Sequence, residues 1–174
     1  MKRTQKITLS ALFLALGIVL PFFTGQIPKI GNLLLPMHIP VLFCGFLCGM
    51  PYGFLVGFLT PILRSILFSM PPMMPKALGM AVELAVYGIV TGVLYPRWKQ
   101  KKFGIYSTLL TAMILGRMTW GIASFLLYKI VGMQFTWELF IAGAFFNALP
   151  GIIIQLILIP AVLYRLQKTN TYVQ

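Results

Sequence analysis

The chain has 174 residues, 59% apolar and only 9% charged, with 14 Lys and Arg against two acidic residues and a formal net charge of +12. A soluble domain carries about 25% charged residues, so this chain lacks the polar surface to cover a water-soluble sphere and reads as an integral membrane protein. The basic excess sits mostly in connections, where topology and anionic lipid account for it, and nucleic acid is not expected as a partner.

In chain order, a basic start (Lys2, Arg3, Lys6) is followed by an uncharged apolar run, Ile7 to Phe23, within a first helix expected over about residues 6–24. No A-x-A cleavage site follows, so a retained helix is expected rather than a signal peptide. Ala11 and Ala15 are an i, i+4 pair and leave a shallow groove on one face. Packing within the bundle and docking of a partner both remain open for it. Residues 25–40, GQIPKIGNLLLPMHIP, carry Pro28, Pro36 and Pro40 and predict a long, partly apolar first loop, lid-like or a linker.

Residues 41–67 hold two short apolar runs split by Gly49–Gly53, consistent with two short helices or a re-entrant hairpin. Their cysteines, Cys44 and Cys48, have no second Cys pair or His cluster, so no metal site is expected. FSMPPMMP (68–75) is a proline-rich loop. Further helices are expected over about 75–95, 104–129 and 137–165, with a basic connection PRWKQKK at 96–102. Trp98 and Trp137 fall at expected membrane interfaces. Small residues at helical spacing (Gly53 and Gly57, Ala77, Ala81 and Ala85, Gly88 and Gly92) predict helix–helix contacts.

Nine basic residues near helix ends fall on one side (Lys2, Arg3, Lys6, Arg97, Lys99, Lys101, Lys102, Arg165, Lys168) and three on the other (Lys29, Lys76, Lys129). By the positive-inside rule both termini are cytoplasmic, which requires an even number of crossings before residue 96. The fold expected is all-α: one domain, 1–174, forming a bundle of six transmembrane helices in the bacterial plasma membrane.

Ionisable groups inside such helices are costly and mark cavities or partners. Glu83 lies about 12 Å in from the outer start of its helix, Arg117 about 17 Å from the outer end of the next, and Asn147 about 15 Å into the last. Tyr87 shares a face with Glu83, and Trp120 with Arg117. These five are candidate substrate-binding residues, with Arg64 joining from above. His38, the single histidine, reads first as structural or interfacial and second as a ligand contact. A Glu83–Arg117 ion pair that only locks the bundle is the competing reading.

Neither HExxH nor GxSxG nor a Walker motif occurs, so no enzyme activity, catalytic residue, metal or cofactor is expected. Polarity clusters toward the outer half without a through path, which suits capture of a solute for a partner to move. A stand-alone secondary transporter and a structural assembly subunit are the alternatives.

The basic start with its AxxxA helix (SALFLALG, 10–17), the segments LPMHIPVLFCGFLCGMPYG (35–53) and FLTPILRSILFSMPPMMPKALGMAVELAVYG (58–88), and six expected helices in this length resemble the substrate-binding S components of energy-coupling factor (ECF) vitamin transporters. The resemblance covers nearly the whole chain. It implies high-affinity capture of a small vitamin from outside, under caps formed by the first loop and the loop around 68–75. It also implies docking through Ala11 and Ala15 on an energising transmembrane subunit driven by two cytosolic ATPases, with toppling of the S component in the membrane. One glutamate with arginines and aromatics suits a pantothenate-like carboxylate or a pyridoxine-like ring.

Overall fold

The structure, a computed structural model, describes residues 1–25 and 33–168. Among these there is no strand; the elements are helices α1 (Arg3–Gly25), α2 (His38–Cys48), α3 (Met50–Phe68), α4 (Leu78–Trp98), α5 (Gly104–Ile130), a short α6 (Trp137–Ile141) and α7 (Leu149–Lys168). Wide turns at Met73–Ala77 and Ala142–Phe146 lead into α4 and away from α6. Five helical stretches, Arg3–Thr24, Met50–Phe68, Met73–Trp98, Gly104–Ile130 and Leu149–Lys168, are long and apolar enough to cross a membrane.

Helix α4 is the hub and packs against α2, α3 and α5; α1 leans on α2 and α3, and α7 on α2 and α5. The α3–α4 seam is a backbone contact. A Cβ on Gly53 would lie 2.7 Å from the Gly88 carbonyl oxygen, and one on Gly57 or Gly88 would overlap the opposing backbone at Leu84 or Gly53. The expected small-residue spacing is thus realised between these two helices.

Three boundaries differ from expectation, each for a local reason. Within residues 41–67 the break is one residue, Gly49, at φ 92°, where glycine carries no steric penalty. Pro51 sits in the first turn of α3, where its missing N–H costs nothing, so α3 reaches 19 residues while α2 keeps 11. The expected pair of short runs is therefore one short helix and one full-length helix.

Pro40 does not break helix either, since it lies in the first turn of α2. The first-loop expectation falls partly on residues 26–32, including Pro28 and Lys29, which lie outside the described residues. So does the polar tail, 169–174.

The single helix expected over 137–165 is interrupted. Its chain passes through the wide turn 142–146, where the Asn147 N–H donates to the Ala142 carbonyl at 2.8 Å, and α7 begins only at Leu149. Pro150 has no N–H for the carbonyl four residues earlier and is accepted in the first turn of α7.

Candidate functional site

Where α2, α4 and α5 meet, three side chains converge on one carboxylate oxygen of a fourth, Glu83. Glu83, 1% exposed, presents Oε1 to Arg117 Nη1 at 3.1 Å and accepts a hydrogen bond from the Tyr87 hydroxyl at 3.1 Å. His38 Nε2 stands at 3.6 Å from the same oxygen, just beyond hydrogen-bond reach. The His38 and Tyr87 rings meet edge-on with centroids 5.5 Å apart.

Local sequence explains the placement. Glu83 and Tyr87 are one turn apart on α4, so both face the same way. Gly116 precedes Arg117 on α5, and a Cβ there would occupy the Tyr87 ring; its absence lets the ring lie against α5 beside the guanidinium. His38 opens α2, its backbone N–H donating to the Leu35 carbonyl at 3.0 Å, which sets the imidazole at the depth of Glu83.

The cluster holds more donors than it uses. Arg117 Nε and Nη2 and both His38 ring nitrogens, at least one of the latter a donor, are buried without a hydrogen-bond partner; on α7, Gln155 Nε2 is buried and unpartnered as well. An unpaired buried donor costs about 1–3 kcal/mol. Such a site is ready for an acceptor-rich solute. It holds no nucleophile paired with a base. No group of three His, Cys, Asp or Glu side chains converges among the described residues.

Among the sequence candidates, Glu83, Tyr87, Arg117 and His38 are brought together. Trp120 stands next to them along α5 but turns toward the α6 side, stacked on Phe140 at a centroid distance of 6.2 Å and filling the space left by Gly79 and Gly143. Arg64 is elsewhere. It donates to the Ile18 carbonyl of α1 at 2.6 Å, its guanidinium 4.7 Å from the centre of the Phe22 ring and 5.9 Å from that of Phe68. Asn147 is exposed at the break before α7 and so does not project from the unbroken last helix that its expected depth assumes. Gln155 is not among the sequence candidates; its signal is an amide inside the apolar run Ile152–Ile159.

Ala11 and Ala15 are both exposed, whereas Ser10, Phe13 and Gly17 form the face of α1 turned to the bundle. The alanine pair is therefore not spent on packing within the described bundle. A surface groove of about 650 Å³ lies apart from the Glu83 cluster, between α5 and residues 135–140.

A family model for the substrate-specific component of ECF transporters matches residues 5–163. No curated protein and no solved structure matches the chain.

Proposed function

Since the chain belongs to the ECF transporter substrate-specific component family, and so is a multi-pass plasma-membrane subunit that binds a transported substrate rather than an enzyme, we propose that it captures a small water-soluble vitamin at the Glu83–Arg117–Tyr87–His38 cluster. The observation that carries this is the buried donor surplus at Arg117 and His38. A bundle-locking pair alone gains nothing from unpaired nitrogens and bears their cost. A ligand carboxylate supplies the missing acceptors, which favours a pantothenate-like solute. The edge-on His38–Tyr87 pair supports, as a second reading, a pyridoxine-like ring.

The single domain crosses six times with both termini cytoplasmic. Helix α2, about 16 Å long, covers roughly half the hydrocarbon core, with the turns of residues 33–37 at its outer end. Two contacts support the arrangement. Cys44 Sγ lies 3.5 Å from Ser10 Oγ near the basic start of α1. Gln167 Nε2 donates to the Tyr95 hydroxyl at 2.8 Å, joining the last helix to the basic end of α4. Exposed Ala11 and Ala15 dock on the energising transmembrane subunit, and two cytosolic ATPases power import.

Mass spectrometry of denatured, purified protein identifies the retained vitamin. The double substitution Glu83→Gln with Arg117→Gln removes both charges and keeps a polar side chain at each position, and is expected to abolish retention while the protein still melts cooperatively. Retention equal to the parent would refute the site. No ligand-dependent rise in melting temperature across a vitamin panel would favour a structural subunit. Uptake into liposomes by this chain alone would favour a secondary transporter.

A further inference from the structure

One side of α5 ends in a feature that vitamin capture does not use. Met118, Ile122, Phe125 and Lys129 follow one another at three- or four-residue steps and form one stripe along the helix. All four are exposed. Facing the stripe across the 650 Å³ groove are Trp137 and Phe140, and Gly121 lets the Phe140 ring close the floor. The volume is within the range of small-ligand pockets, about 300–1,000 Å³.

This trough does not end blindly. A second hollow of about 450 Å³, lined by Lys129, Gly132, Met133 and Gln134, shares Phe125, Phe135 and Thr136 with it. Lys129 is the one charged side chain among the described residues lining either hollow; Glu138, nearby in sequence, lines neither. No carboxylate among the described residues pairs with Lys129. The loop's Gly132 and Met133 N–H groups are already spent on the Lys129 and Tyr128 carbonyls. That leaves the Lys129 ammonium and the Gln134 amide to meet a ligand.

An apolar trough opening into a cup with a single cation is complementary to an amphiphile with a negative head. The geometry points to a binding site for one anionic phospholipid, an acyl chain lying in the trough and the phosphate at Lys129. A long lysine stem at a helix end carries its charge to the headgroup level. The exposed Trp137, 73% accessible, anchors the same level.

The test uses full-length protein in vesicles of equal phosphatidylglycerol and phosphatidylcholine, extracted in mild detergent, with retained lipid read by native mass spectrometry. The parent is expected to keep one phosphatidylglycerol in preference to phosphatidylcholine. Lys129→Gln is expected to cut that preference about fivefold, and Lys129→Arg to keep it. Ile122→Trp, which fills the trough, is expected to lose retention of both lipids. Lys102→Gln, at the opposite end of α5, is expected to leave the preference unchanged. Both substituted groove residues are exposed, so folding is not at stake, and vitamin retention is expected to be unaltered in Lys129→Gln.

Three results would overturn the assignment. They are equal retention of the two lipids by the parent, an unchanged preference in Lys129→Gln, and a dimer in the parent's spectrum that Ile122→Trp abolishes, which would give the trough to a second copy of the chain.

Discussion

Two arginines are buried within the helical stretches, and the structure disposes of them in opposite ways. Arg64 and Arg117 are 8% and 9% exposed, so their burial is the same and only their partners differ. Arg117 meets a carboxylate and keeps two nitrogens unpaired. Arg64 meets a backbone carbonyl and two aromatic faces, with no opposing charge. The first arrangement concentrates charge at the hub, where 61% of the spanning window is buried. The second fastens α1, whose window is only 22% buried, to α3. Burial alone thus does not distinguish the two cations; spare hydrogen-bonding capacity, present at Arg117, does.

The sharpest break of this contrast is Arg117→Ala. It strands Glu83 in the interior, and removing one partner of a buried pair costs about 3–5 kcal/mol. Thermal melting in detergent is expected to show the loss, and adding Glu83→Gln to recover most of it. A subtler probe of the same region is Gly116→Ala. The new methyl would occupy the Tyr87 ring, and overpacking of this kind costs about 1–3 kcal/mol. Vitamin affinity, followed by calorimetry, is expected to fall with it, because the Tyr87 hydroxyl leaves Glu83.

At the other arginine, Arg64→Met is expected to cost about 1–2 kcal/mol, the worth of a charged hydrogen bond and an aromatic contact. Its signature is local: faster hydrogen exchange in α1 with α4 unchanged. The smallest stability effect is expected for Ala11→Trp with Ala15→Trp. Both sites are exposed, and surface changes of this kind stay within about 0.5 kcal/mol. Co-purification with the energising subunit, by contrast, is expected to be lost while vitamin retention survives.

Much of this was legible from residues alone. Composition identified the membrane class, and counting along helices gave Glu83 and Arg117 similar depths. Depth is a coordinate along an axis, however, while partnership depends on rotation about that axis and on which helix lies opposite. Arg64 has the depth of a capping residue but turns toward α1. Asn147 had the right depth only on the premise of an unbroken helix, and Pro150 with the preceding wide turn removes that premise. The contact of His38 with Glu83 was not legible, because its place between Pro36 and Pro40 hides that α2 begins at it. The α1 alanines were ambiguous for the same rotational reason: only packing shows that Phe13 and Gly17 take the inner face.

The glycine seam between α3 and α4 has a mechanical side. Backbone meets backbone at Gly53 and Gly88, at Gly57 and Leu84, and at Gly92 and Met50, with no side chain between to rotate aside. Sliding one helix past the other by a single residue would drive a Cβ into a carbonyl. The pair is a strut that resists shear, and Glu83 is mounted on it. The Glu83 cluster is thus carried on a helix pair braced against sliding.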